Sequence, residues 1–164
     1  MRFDATVPGS TVFFFVLPED LATSNTVSAV LRITATEYAR LIAHCYDGLP
    51  LEACGLLAGP KGAPDDATTC YPTRNAARSS RVYEVHGLDY RDADDDAEAR
   101  DHEILGVFHS HTHTDPYPSP TDVASALFPQ WHYVLVSLRD EAPMTRSYRI
   151  VDGKIAEEPV VVIP

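Results

Sequence analysis

The residues able to do chemistry in this chain are concentrated in the stretch GVFHSHTHTDPYPSPTD, residues 106–122. Val107 and Phe108 read as the end of a buried strand, and His109 and His111 follow with one serine between them. Alternate side chains of an extended strand share a face, so the two imidazoles point the same way and can grip one ion. After seven more residues comes Ser119-Pro120-Thr121-Asp122. This has the form of a helix start, with serine at the N-cap, proline at the first helical position and aspartate at the third. A strand end would present two imidazoles and a helix start one carboxylate, across a loop long enough to fold over a cation. Two histidines and one aspartate leave a fourth tetrahedral position open, as a catalytic zinc site requires and a structural one does not. The plain alternative is a pair of surface histidines followed by an ordinary capped helix. His113 lies two residues past His111 and reads as a loop residue near the mouth, since Asp122 completes the set.

Upstream, Glu52 enters the apolar run LEACGLLAG, residues 51–59, which reads as a buried strand. By itself Glu52 would be an exposed strand-end acid, because a carboxylate inside an apolar strand is costly unless something compensates it. Cys54 follows two residues later and so on the same face. No motif pairs a base with it, so it reads as a buried small residue rather than a nucleophile.

Taken together, His109-x-His111, Ser119 and Asp122 resemble the JAMM motif of the MPN-plus metallopeptidases, and Glu52 stands where that family has an upstream glutamate. The resemblance implies one zinc per chain held by His109, His111 and Asp122. It implies Glu52 as the base that takes the proton of the attacking water and hands it to the leaving amine. Ser119 would help zinc stabilise the oxyanion, although a hydroxyl that also caps a helix is less free to do so. Much of residues 30–164 is similar to the actinobacterial Mec-type peptidases, through EACGLLAGP, HSHT, YPSPTDV, HYVLVS and RSYRIVDG. Those enzymes release cysteine from the C-terminal Gly-Gly end of a small ubiquitin-like sulfur carrier protein during cysteine biosynthesis, so such a carrier is the implied substrate. Thr112 stands where many deubiquitinating relatives have proline, which points away from ubiquitin itself. Two other readings are the same chemistry on another ubiquitin-like carrier or peptide, and a non-catalytic MPN scaffold. A scaffold has no need of all five motif residues. The implied fold is the MPN/JAMM, cytidine-deaminase-like mixed α/β (α+β) sheet flanked by helices, as a single domain.

The elements that must position these groups follow from pattern. Residues 30–33 form a short strand, and Thr34-Ala35-Thr36-Glu37 reads as a capping box opening a helix with Tyr38, Leu41, Ile42 and Cys45 at helical spacing. Gly48 and Pro50 end it. His44 on that helix reads as a packing or surface residue. Residues 68–72 and 81–86 alternate as two strands, and such a pair beside a metal site could offer an edge to an extended peptide. Arg74, Arg78 and Arg81 would solvate the loop between them or meet an acidic partner. Residues 88–102 are densely acidic, with Tyr90, Ala93 and Ala97 as a narrow apolar stripe, and read as a solvated surface helix. The helix begun at Ser119 continues to Phe128. Residues 131–138 make a strong strand with His132 at its edge, and residues 146–151 and 155–163 pair across an Asp152-Gly153 hairpin turn.

Length and charge set the limits. The chain of 164 residues suits one domain with a real core. Its 13 basic against 24 acidic side chains give a formal net charge of −11, which disfavours phosphate backbones and so a nucleic-acid partner or a RadC-like role. Three cysteines, Cys45, Cys54 and Cys70, have no framework spacing and suit a reducing cytoplasm. Residues 1–29 are an extension of unknown role ahead of the peptidase domain at 30–164. The run VFFFVL at 12–17 is too short to span a bilayer; it would be an edge strand or a docking segment, with residues 22–26 as a linker.

Overall fold

The computed structural model describes residues 29–164; the hydrophobic run at 12–17 and the linker at 22–26 lie outside the described residues. Two sheets form within the described residues. The larger contains, in spatial order, β4 (Thr69–Thr73), β2 (Cys54–Pro60), β5 (His102–His111), β6 (His132–Ser137), β7 (Met144–Val151) and β8 (Lys154–Glu158). All its pairings are antiparallel except β5 with β6. The smaller is β3 (Asp66–Ala67), β1 (Leu31–Thr34) and β9 (Val160–Ile163), all parallel. The helices are α1 (Ala35–Asp47), α2 (Gly87–Ala99) and α3 (Pro120–Ser125). The architecture is therefore the expected mixed α/β one, a sheet flanked by helices.

The large sheet is buried on both faces, so its central strands read as apolar runs rather than alternating ones. Leu57, Phe108, Val134 and Val136 face α1 and β1, where they pack with Leu31, Ile33, Leu41 and Cys45. Their neighbours Leu56, Val107 and Leu135 face the other way, toward Ala93 of α2, Trp131, Tyr148 and Ile150. Strand alternation delivers each pair to opposite cores. Gly55 permits the close seam between β2 and β5: a Cβ there would lie 2.4 Å from the Phe108 ring.

Several local expectations change. Thr34 is the N-cap of α1 but its side chain makes no capping bond. Glu37 turns instead to β4 and accepts the Cys70 N–H at 2.8 Å, so the capping box does not form. The strand expected from residue 51 begins at Cys54, leaving Glu52 just ahead of it. Residues 81–86 are not a strand; only an isolated bridge joins Asn75 to Val85. Among the described residues the sheet edge at that end is β4, and it is blunted, since Pro72 has no N–H and that of Cys70 is taken by Glu37. Helix α3 stops at Ser125 rather than Phe128. Residues 155–163 split at Pro159 into β8 and β9, which join different sheets. His132 opens β6, at the edge of that strand as expected, but β6 is central in the sheet and His132 is fully buried. The hairpin at Asp152-Gly153 is as expected, with φ of 49° and 74° at the two residues.

Candidate metal centre

The order β2-β5-β6 places three chain ends at one end of the sheet. Strand β5 finishes at His111, with His109 and His111 on the face shared by Val107. Helix α3 starts beside them. Its N-cap Ser119 accepts the Asp122 N–H at 3.2 Å, and the Asp122 carboxylate accepts the Ser119 N–H at 2.7 Å, a reciprocal capping box. That box fixes the rotamer of Asp122 and aims it at the strand. The intervening loop is tied down from several sides. Ser137 donates to the Thr114 carbonyl at 2.6 Å, Tyr148 donates to the Pro116 carbonyl at 2.6 Å, and Arg139 pairs with Asp115.

The result is a triangle of donor atoms. His109 Nε2 and His111 Nε2 are 3.1 Å apart, His109 Nε2 is 3.4 Å from Asp122 Oδ1, and His111 Nε2 is 3.6 Å from Asp122 Oδ2. Ligands roughly 2 Å from a tetrahedral ion are separated by about 3.3 Å, and with one atom taken from each side chain the three lie within 4.8 Å of one another, so the set is of a size that suits a zinc ion. The tautomer of His111 is set for it. Its Nδ1–H donates to the Asp115 carbonyl at 2.7 Å, which leaves the Nε2 lone pair facing inward. All three side chains are buried. His113 is exposed and outside the triangle.

The electrostatics favour a bound cation. Burial lowers the pKa of His109, against the pull of Asp122, and so keeps the ring neutral and its lone pair available. Burial also opposes protonation of His111, but its bonds to Asp122 and to the Asp115 carbonyl hold its pKa above the ordinary value. Burial alone would raise the Asp122 carboxyl; the bonds from His109, His111 and Ser119 outweigh it and hold the group far below the usual range. Asp122 is thus an anion facing two imidazoles. Glu52, 6% exposed, is the opposite case: burial, with Asp122 adding to it and His111 opposing it, pushes its carboxyl up to about 7.

Backbone contacts hold Glu52 beside the triangle. Its N–H donates to the Ser79 carbonyl at 2.9 Å, and its carbonyl accepts from the Asn75 side chain at 2.9 Å. The next residue, Ala53, is clamped twice by Ser110, through the Ser110 N–H to the Ala53 carbonyl and the Ala53 N–H to Ser110 Oγ, both at 2.9 Å. Ser110 stands between the two histidines, so β5 positions histidines and glutamate together. Tyr83 stacks on His109 with ring centroids 4.1 Å apart and planes 19° from parallel. Asn75, Tyr83 and Ser110 carry no motif, and only Ser110, inside the HxH, had any signal in the sequence.

The residues read as bystanders remain outside the triangle. Burial, against a contact with Thr73 Oγ1 at 3.4 Å that pulls the other way, pushes the Cys54 thiol up to about 11, so it stays protonated at neutral pH. His44 Nε2 lies 3.0 Å from the Cys54 carbonyl. A cleft of about 660 Å3 adjoins this region, with Leu51, Glu52, Pro72 and Arg78 among its walls. Arg74 pairs with Asp89 of α2. Among the described residues no helix is long and apolar enough to cross a membrane.

Known proteins give the same picture. The chain matches the prokaryotic homologs of the JAB domain over residues 34–151. It is 44% identical over 135 residues to the CysO-cysteine peptidase of Mycobacterium tuberculosis, covering 82% of this chain and 92% of that protein. It is 31% identical over 115 residues to the desampylase of Haloferax volcanii, covering 67% of this chain and 82% of that one. A protein from Desulfitobacterium hafniense, solved in solution, superposes with a TM-score of 0.74 at 29% identity, over 81% of this chain and 92% of its own.

Proposed function

The chain belongs to the prokaryotic JAB-domain family, and from that premise we propose a zinc-dependent peptidase that frees cysteine from the C-terminal Gly-Gly of a small ubiquitin-like sulfur carrier. The observation that carries this reading is the buried donor triangle of His109, His111 and Asp122 beside Glu52, in a chain 44% identical to a CysO-cysteine peptidase. The catalytic domain is residues 30–164, with residues 1–29 an extension. The thiols of Cys45, Cys54 and Cys70 are free, which suits a reducing cytoplasm.

Zinc held by His109, His111 and Asp122 would supply Lewis acidity and a water that ionises at about pH 7. The rest is the work of the chain. Glu52, with its carboxyl near neutrality, accepts the proton of the attacking water and returns it to the departing amine. Ser119 resolves an apparent conflict of duties. As helix cap its oxygen only accepts, from the Asp122 N–H. A serine hydroxyl has one proton to give and two lone pairs to accept with, so a capping Ser119 can still turn its O–H from the Asp122 carboxylate to the oxyanion. The Asp115 carbonyl keeps His111 in the tautomer that presents Nε2.

The test is hydrolysis of a carrier whose Gly-Gly terminus is amide-linked to cysteine, beside the same carrier linked to a lysine ε-amine. Release of cysteine by wild type, absent in Glu52→Gln, is the expected result. The likeness to a desampylase favours a second reading, the same chemistry on another small carrier. Cleavage of the lysine adduct alone would select it.

A further inference from the structure

Residues 76–84 lie beside the donor triangle, with Tyr83 stacked on His109, and close around the side chain of Asn75. We propose that Asn75 is a positioning residue for hydrolysis, its amide group fixing the backbone of Glu52 and this loop at once. The inference rests on the function proposed above. Asn75 is half-buried, and both ends of its amide are in use. Nδ2 donates to the Glu52 carbonyl at 2.9 Å and to the Val82 carbonyl at 3.2 Å. Oδ1 accepts the Ala77 N–H at 3.0 Å and the Glu84 N–H at 3.1 Å. The loop thus closes around the amide, and the same group reaches out of it to the residue that moves the proton.

Three further contacts show what the closed loop does. Ser79 supplies the carbonyl for the Glu52 N–H at 2.9 Å. Ser80 supplies the carbonyl for the Thr112 hydroxyl at 3.2 Å, just past the second histidine. Tyr83 lies flat on His109. Among the described residues no regular ladder supports this segment; beyond Asn75 itself, the Asn75–Val85 bridge and the Ala76 N–H to Glu84 carbonyl bond at 2.8 Å close its base. Removing the amide therefore releases the Glu52 carbonyl and loosens the loop whose Ser79 carbonyl holds the Glu52 N–H. Proton transfer is sensitive to such a displacement, since a misplacement of about 1 Å can cost roughly 100-fold in rate.

Two variants separate the two ends of the amide. Asn75→Asp keeps an acceptor for Ala77 and Glu84 but loses the donor to Glu52 and Val82; Asn75→Ala loses both. Zinc-loaded proteins would be compared by circular dichroism, zinc content, amide hydrogen exchange by NMR, and kinetics on the carrier-cysteine adduct. We expect about one zinc per chain throughout. Both variants should lose protection at the Glu52 N–H, while the Ala77 and Glu84 N–H groups lose it only in Asn75→Ala. Both should lose about 10- to 100-fold in kcat with KM within about threefold. Unchanged exchange at Glu52, or unchanged kcat with raised KM, overturns the assignment. If Asn75→Ala does not fold, Asn75→Asp still gives the Glu52 exchange and the kcat loss. The exchange pattern needs no substrate: a wild type that leaves the adduct intact refutes the substrate reading, and exchange alone then decides the role of Asn75.

Discussion

Two clusters in this protein bury histidine against carboxylate, and they are built on different principles. In one, Glu158 at the end of β8 accepts from His132 at 2.6 Å, Ser147 at 2.7 Å and Arg149 at 2.9 Å. Arg149 continues to Asp65 at 3.0 Å and to the Gln130 carbonyl. Every charge there has a counter-charge supplied by the chain, and the network stitches β6, β7 and β8 to the turn before β3. In the other, Asp122 faces two imidazoles and, among the described residues, no Lys or Arg pairs with it, while Glu52 sits close by with its carboxyl raised to about 7. The first cluster is closed, and the second converges on a point that wants a cation. Residue types alone do not separate structure from function here; the presence of a built-in cation does.

The comparison can be broken by showing that the clusters behave alike. The largest catalytic effect should come from Glu52→Gln, with kcat lowered by about 10²- to 10⁴-fold while the zinc content of the purified protein stays at that of wild type. Glu158→Ala should do the reverse. It strands His132 and Arg149 without their shared partner, and should cost about 3–5 kcal/mol in urea unfolding with unchanged kcat for the folded fraction. Ser119→Ala should fall between these, losing about 10²-fold in kcat and about 1 kcal/mol of stability from the lost cap.

The smallest effect is a difference in sign with pH. The Glu158 carboxyl is held below its ordinary value of 4.5, against burial, by His132, Ser147 and Arg149. Its contribution to stability is present above about pH 4.5 and is lost as pH falls through the lowered value. The Glu52 carboxyl is raised from 4.5 to about 7 by burial. In metal-free protein its contribution is complete below about pH 4.5 and is lost as pH rises through about 7. Melting temperatures of metal-free wild type should therefore decline on both sides. Glu52→Gln should make only the alkaline decline shallower, and Glu158→Gln only the acid decline, the remainder coming from His111 on the alkaline side and Asp122 on the acid side. Matching changes in the two variants would erase the distinction.

How much of this was readable in the sequence depended on the separation of the partners. His109, His111, Ser119 and Asp122 lie within one short stretch, and strand alternation and helix capping are local rules, so their convergence could be anticipated. Glu52 could not be joined to them by spacing; only the family resemblance did that. Asn75, Ser110 and Tyr83 act across the fold: Ser110 meets Ala53 57 positions away, and Asn75 meets Glu52 23 positions away. Residues 81–86 alternate like a strand but have no continuous partner, because the chain there wraps around an amide. The full burial of His132 was hidden for a related reason, since strand order, which sequence pattern does not encode, makes β6 central. Glu37 had a competing donor in Cys70 N–H, which a local capping rule cannot foresee.

The most direct test of the account is the zinc content of purified wild type, Asp122→Ala and Glu158→Ala, measured side by side by mass spectrometry of the metal. About one zinc per chain in wild type and in folded Glu158→Ala, with none retained by Asp122→Ala, is the predicted result. Zinc absent from wild type, or retained equally by Asp122→Ala, would contradict the claim that the cluster lacking its own cation is the catalytic metal centre.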